Sequence, residues 1–284
     1  MKNTRILEEN IFKGLMVFST AIIMASLILI LITIIFKGLP ALDLDMITKT
    51  PKGGFYLGKE GGILNAIVGS LFLAGGSIVL TTLISIPIVL FLNVYTKTNS
   101  TLAAFTRFSF DVLWGVPSIV YGAFGFTIML FFGMHASLLA GIITVSLLIL
   151  PIMSRTIDEV MRMIPDELLE ASYALGATRF ETAFKVLVRQ AFSGILTAIL
   201  ISFGRGIGDA ASVIFTAGFT DYIPDSLLRP VATLPLSIFF LLGTPFPEVQ
   251  ERAYAAAFIL TIIILLISII SRSLSKKFTK HIIK

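Results

Sequence analysis

The chain has 284 residues, 56% hydrophobic and 14% charged, with a mean hydropathy of +0.96. Soluble domains carry about 25% charged residues, so a soluble enzyme is excluded. Cysteine is absent, which removes disulfides, thiol catalysis and cysteine-ligated metals, and His135 and His281 lie too far apart in sequence for a histidine metal cluster.

A membrane-crossing helix takes about 20 apolar residues. The first such run, residues 14–36, is too long for a signal-peptide core and has no small-residue cleavage site close behind it. It reads as a retained helix. The second lies within residues 63–95, a stretch without charge that exceeds one bilayer crossing, so it tilts or extends into the headgroups. The third and fourth, 112–132 and 136–154, are separated only by Gly133, Met134 and His135, which predicts a tight helical hairpin. The fifth, 192–217, is the one run with charges inside it, and the sixth is 253–271. Residues 234–243 are apolar but too short to span, which suits a re-entrant or interfacial segment. The expected fold is all-α: a polytopic membrane protein of six transmembrane helices. A net charge of +5 then belongs to span-flanking residues rather than to a nucleic-acid surface, and membrane lipid is the expected environment.

Lys and Arg in the loops set orientation. Lys2, Arg5, Lys13, Lys97, Arg107, Arg162, Arg179, Lys185, Arg189, Arg272, Lys276, Lys277, Lys280 and Lys284 fall on one side. Lys37, Lys49, Lys52, Lys59, Arg229 and Arg252 fall on the other. The bias places both termini in the cytoplasm.

The loop between the fourth and fifth spans reads PDELLEASYALGATRFETAFKVLVRQ. Pro165 suits a first helical turn, and Asp166 and Glu167 sit near the positive end of the dipole. Gly176 is a C-terminal stop, and Thr178 with Glu181 makes a T-x-x-E capping box for the next helix. The first of these two helices carries Asp166, Glu167 and Glu170 and no Lys or Arg. Anionic lipid would repel that face, so docking into a partner's groove is favoured over lying on the bilayer.

Glu170-Ala171-Ser172, three residues, then Gly176 resembles the EAA motif of ABC importer permeases. Ser172 replaces the second Ala, Val186 and Val188 stand where the motif's tail has Ile and Leu, and Arg189 replaces its Pro. The resemblance implies that Glu167, Glu170, Ala171, Ser172 and Gly176 form a coupling helix docking on an ATP-hydrolysing subunit. It also implies a type I importer (MetI-like) permease fold. The chain then divides into an N-terminal span with its first outward loop, 1–61, and a permease core, 62–284, holding the coupling loop at about 155–190.

The fifth span contains SFGRGIGDAA. Arg205 and Asp209 are four apart, which puts them on one helical face. Each costs about 2.5–3.5 kcal/mol at a helix centre on insertion scales, so such residues face a bundle interior or a water pathway. Two readings stand: an ion pair locking the span to a neighbour, or an anion relay in which a planar guanidinium meets an oxyanion. Gly204 and Gly208, also four apart, allow another backbone a close approach. Arg155, just past Pro151 at the end of the fourth span, is either a flanking charge or part of the same pathway.

A narrower resemblance covers about residues 111–271. Asp111-Val112-Leu113, Pro117-Ser118-Ile119, Gly122, Leu150-Pro151-Ile152, Arg155, Arg162-Met163-Ile164-Pro165 and Ala174-Leu175-Gly176 are similar to the PstA permeases of phosphate ABC importers. Leu234-Pro235, Ile238-Phe239, Pro245-Phe246, Glu248, Gln250 and Ala253 continue it. It implies that Arg155 and Arg205 serve phosphate passage, with Asp209 as the acidic residue four beyond Arg205. The implied partners are a PstC-like permease, two copies of a PstB-like ATPase and a PstS-like phosphate-binding protein. ATP hydrolysis falls to the partner, so the chain is no enzyme and needs no cofactor.

Gly204-Arg205-Gly206-Ile207-Gly208 is not G-x-G-x-x-G, follows no predicted strand, and no Walker A motif occurs, so the chain itself should not hold nucleotide. Gly75-Gly76 reads as a packing site and Trp114 as interfacial. Alternatives are a permease for another oxyanion (sulfate, molybdate or phosphonate), an intramembrane lipid enzyme, for which no nucleophile or metal set stands near Arg205, and a scaffold, which leaves the intramembrane charges unexplained.

Overall fold

A computed structural model describes residues 2–52, 60–96 and 100–279. Lys59, Lys97, Lys280, Lys284 and His281 lie outside the described residues. The described chain is mostly helical, with a two-residue antiparallel pair, β1 (Pro51–Lys52) and β2 (Glu60–Gly61), in the first inter-span loop. Among the described residues, five helices are long and apolar enough to cross a membrane, and there are six spans if one bent pair counts as a single crossing.

The helix α1 (Lys2–Gly38) buries none of its apolar window within the chain. It touches the body near Gly38, where a Cβ would lie 2.5 Å from the Tyr254 carbonyl oxygen. A short α2 (Leu44–Thr48), capped by Asp43, leads into the loop. Next come α3 (Leu64–Leu90), which continues through a π-helical segment (Phe91–Tyr95), then α4 (Thr101–Trp114) and α5 (Ser118–Phe131). The central α6 (Leu138–Arg162) is the most buried of the spanning helices.

The α3–α6 seam is a polar zipper. Ser77, Thr81 and Ser85 recur every four residues on α3 and face Ser146 and Ser154 on α6. Ser77 Oγ donates to the Ile142 carbonyl at 3.2 Å, Ser146 Oγ to the Ser77 carbonyl at 3.2 Å, and Thr81 Oγ1 to the Ser146 carbonyl at 3.3 Å. Small side chains let two backbones approach, and their hydroxyls hydrogen-bond across the seam. Gly76 belongs to it, since a Cβ there would strike Ile142 at 2.5 Å, whereas Gly75 meets nothing within 4 Å.

The single run expected over 112–132 is two helices meeting at 104°. Pro117 lacks an N–H and disfavours helical geometry at Val116, and Gly115 ends α4. Tyr121 Oη donates to the Leu113 carbonyl at 2.8 Å, so a carbonyl from the last turn of α4 is satisfied across the bend. Trp114 is exposed at the corner. The tight hairpin into α6 is present, with Gly133 at φ +64° and Ser137 capping Ala140 N.

Beyond α6 lie α7 (Asp166–Ala174) and one helical turn, α8 (Arg179–Glu181). A second π-helical segment (Thr182–Leu187) joins α8 to α9 (Val188–Ile207). The fifth run was expected to stay helical to residue 217, but α9 stops at Ile207 and residues 208–217 form turns. The short apolar segment is α10 (Leu234–Leu242), capped by Thr233 and tied to α3 by Leu234 N donating to Ser70 Oγ at 2.7 Å. The last element, α11 (Pro247–Thr279), packs against α1, α9 and α10.

Candidate functional site

Asp209 lies two residues past the end of α9, so it is not on the helical face expected for it. Its Oδ2 accepts from Ser212 N at 2.8 Å and caps the turn that follows. Its Oδ1 stands 3.5 Å from Arg205 Nη1, an ion pair without hydrogen-bond contact. The two partners differ in surroundings: the Asp209 side chain is 5% exposed and that of Arg205 48%. Ile201, Arg205 and Gly208 are exposed along α9, and a Cβ at Gly204 would meet nothing within 4 Å. The close backbone approach expected at Gly204 is therefore not made among the described residues. The open face carries a charge on a helix long and apolar enough to span a membrane, where lipid would be a poor solvent for it. Behind it, the hydroxyls of Ser202 and Ser212 are buried and make no hydrogen bond among the described residues. Buried hydroxyls of that kind are ordinarily met by water or by a ligand.

Arg155 is not at the end of its span. The helix α6 runs on to Arg162, and Arg155 sits inside it among three carboxylates. Its Nε is 3.0 Å from Asp111 Oδ1 and 3.3 Å from Glu159 Oε1, and its Nη1 is 3.8 Å from Asp158 Oδ2. Arg155 and Arg205 do not share a site. Gly206 packs against Val145, ten residues before Arg155 on α6, and at 1.5 Å per residue the two arginines differ in depth by about 15 Å.

Sequence reasoning missed Asp158, which is fully buried. Arg107, expected in a loop but placed on α4, donates to it from Nε at 2.8 Å and Nη2 at 3.0 Å. Asn93 Nδ2 donates at 2.8 Å from the π-helical segment after α3. One carboxylate thus ties three elements together. Its only sequence signal was an acidic residue four before Arg162, beyond the apolar run.

The loop 162–190 has the expected form, with Pro165 as the N-cap of α7 rather than its first helical residue. Gly176 takes φ +82° and ends α7. Both halves of the capping box form: Glu181 N donates to Thr178 Oγ1 at 3.2 Å and Thr178 N to Glu181 Oε2 at 3.1 Å. Glu167, Glu170, Ala171 and Gly176 are exposed. Ser172 is turned inward, its hydroxyl 2.9 Å from Thr182 Oγ1, and so pins α7 to the second π-helical segment. Met163, Leu175 and Phe180 are exposed apolar residues around α7.

The family model for the binding-protein-dependent transport system inner membrane component matches residues 85–284. The chain belongs to that family. Among the relatives of this inner membrane component is the phosphate transport system permease protein PstA of Haemophilus influenzae, 34% identical over 93% of each chain. The PstA of Xylella fastidiosa is 36% identical over 85% of this chain and 83% of its own. The probable PstA of Methanocaldococcus jannaschii is 33% identical over 94% and 93%. An inward-facing structure of the MetNI methionine ABC transporter superposes with a TM-score of 0.62 at 18% identity, covering 76% of this chain and 95% of that one. An amino acid ABC transporter with histidines gives 0.56 at 15% identity, covering 75% and 92%. The fold of this inner membrane component is that of an ABC importer permease.

Proposed function

We propose that this chain is the PstA-type permease subunit of a phosphate ABC importer, forming half of the transmembrane pathway. The observation that carries the reading is the open face of α9: a half-exposed Arg205, backed by the buried carboxylate of Asp209, in a helix long and apolar enough to cross a membrane. Lipid cannot cover that guanidinium cheaply, so a homologous permease and a hydrated path between the two are its natural surroundings. Arg205 offers paired donors to phosphate oxygens, and Asp209 keeps them from holding the anion too long. Arg155, about 15 Å away in depth, serves a second level of the same path. Relatives named for phosphate transport, at 33–36% identity over most of the chain, favour phosphate over other oxyanions.

In this reading the termini face the cytoplasm of a bacterial or archaeal cell. The α7 helix is the coupling helix, with Glu167, Glu170, Ala171, Ser172 and Gly176 forming its dock for a PstB-like ATPase dimer. A PstS-like protein delivers phosphate at the opposite end, and a PstC-like permease completes the path. The chain carries no ATPase chemistry itself. Residues 1–61 act as an N-terminal span and outward loop, and residues 62–284 as the core. The test is ATP hydrolysis by the reconstituted importer with its binding protein, titrated with phosphate, sulfate and molybdate. Stimulation by phosphate alone is expected, and stimulation by sulfate or molybdate but not phosphate would overturn the assignment.

A further inference from the structure

Asp158 has two arginines within reach and hydrogen-bonds to one. Arg107, on α4, makes both short contacts. Arg155 stands at 3.8 Å from it and is held instead by Asp111 and Glu159, both about half-exposed. These groups divide by element. Asp158, Arg155 and Glu159 ride on α6, whereas Arg107 and Asp111 ride on α4.

Any displacement of α4 along α6 therefore breaks two contacts at once. Arg107 is drawn off Asp158, and Asp111 is drawn off Arg155. A fully buried carboxylate stripped of its cation is strongly unfavourable. Arg155, three residues away on the same helix, remains in reach whatever α4 does, and the same movement takes Asp111 from it and leaves the half-exposed Glu159, also on α6, as its other partner. The released Arg107 already borders a cavity of about 240 Å³ that Asn93, Thr96, Arg162 and Asp166 also line. Asp166 is in the first turn of α7. Asn93, which steadies Asp158, lies in a π-helical segment, a form that often marks functional sites within helices.

We infer that Arg107 and Arg155 exchange carboxylates during the transport cycle. In one state Arg107 holds Asp158 while Arg155 holds Asp111. In the other Arg155 holds Asp158 while Arg107 pairs with Asp166. Asp158 keeps a cation in both states, so neither leaves a buried charge alone, which is what a two-state element requires. The exchange links α7 to α4, the first half of the bent span, and makes Arg107 and Asp166 positioning residues. This rests on α7 being the coupling helix.

The experiment uses the complete importer in proteoliposomes, with its ATPase, second permease and phosphate-binding protein. Asp166→Asn is expected to slow phosphate-stimulated turnover about tenfold. The phosphate concentration for half-maximal uptake and the amount of ATPase subunit recovered with the complex should stay unchanged. Asp166→Glu should restore most of the rate. Arg107→Gln combined with Asp166→Asn should be no slower than Arg107→Gln alone, because the two act through one contact. Wild-type turnover in Asp166→Asn, or independent losses that multiply in the double variant, would overturn the exchange. Loss of the ATPase subunit in Asp166→Asn would also overturn it, by making Asp166 a docking contact, and would leave the coupling reading standing. That reading falls on a different result, namely a Gly176→Leu complex that still hydrolyses ATP in step with transport.

Discussion

Arg107 donates to both oxygens of the fully buried Asp158, at 2.8 Å and 3.0 Å, across 51 residues of sequence. This contact fastens the first half of the bent span to the central helix. Arg155, 3.8 Å from the same carboxylate, gives the cluster a reserve cation.

The reserve makes the two arginines non-additive. Arg107→Ala alone leaves Arg155 free to close on Asp158, and Arg155→Ala alone leaves the Arg107 contact whole. Removing both leaves a buried carboxylate with Asn93 as its remaining donor. The double variant should lose more stability than the two singles together, by about 1–3 kcal/mol. Denaturation of the purified protein in detergent would read this as a midpoint lower than the summed single shifts. A strictly additive result would mean that Arg155 does not reach Asp158.

The docking loop gives a second prediction. Gly176 occupies left-handed geometry at φ +82°, which a leucine resists, and the turn sets where α7 ends relative to the capped α8. A Cβ at Gly176 would meet nothing within 4 Å, so the penalty is conformational rather than steric. Gly176→Leu should insert normally but transport poorly with ATP hydrolysis uncoupled from uptake, and exposed Glu170→Arg should do the same through charge. Thr178→Ala removes a cap worth about 1 kcal/mol and should have a milder effect. Uptake and hydrolysis measured in the same vesicles decide it, and normal coupling in Gly176→Leu or Glu170→Arg would refute the docking role.

The loop was legible in sequence because its signals are local: a proline, a glycine and a T-x-x-E box within seventeen residues. The spans were legible because apolar length is a property of composition. What hydropathy could not see was where an apolar run stops being helical. Pro117 broke the third run and the Gly208-Asp209 pair ended the fifth, although the runs on either side of each break were apolar enough on average to continue. Both breaks carried a chemical cue, a missing N–H in one case and a helix stop followed by a capping carboxylate in the other. The Asp158 cluster had no such cue. Its members come from three helices, and no spacing along the chain announces that Arg107 and Asp158 meet.

Topology supplies a third prediction. A reporter fused after Lys284 should report the cytoplasm, and one inserted near Lys52 should report the outside. The bent pair α4–α5 must count as one crossing for the six-span arrangement to hold, because the hairpin returns α6 to the side where α7 lies. A cytoplasmic signal from both reporters would refute that arrangement.

The last prediction concerns Arg205 and Asp209. Arg205→Ala removes the planar donor from the open face of α9 and leaves the nearly buried Asp209 without its cation. An incoming anion then meets uncompensated negative charge, and uptake should be abolished. Arg205→Lys keeps the charge and loses the fork, so partial loss is expected. Asp209→Asn should be milder still. An asparagine oxygen can go on accepting from Ser212 N, so the turn after α9 keeps its cap while Arg205 keeps its charge. Asp209→Ala separates the two roles of that carboxylate, since it also removes the cap, at about 1 kcal/mol, and should lower protein abundance where Asp209→Asn does not. The expected order of uptake is wild type, Asp209→Asn, Arg205→Lys, Arg205→Ala. It is read as labelled phosphate uptake in cells lacking other phosphate importers, normalised to membrane abundance. Wild-type uptake by Arg205→Ala at equal abundance would reduce the pair to a lock on the end of α9 and remove Arg205 from the anion path.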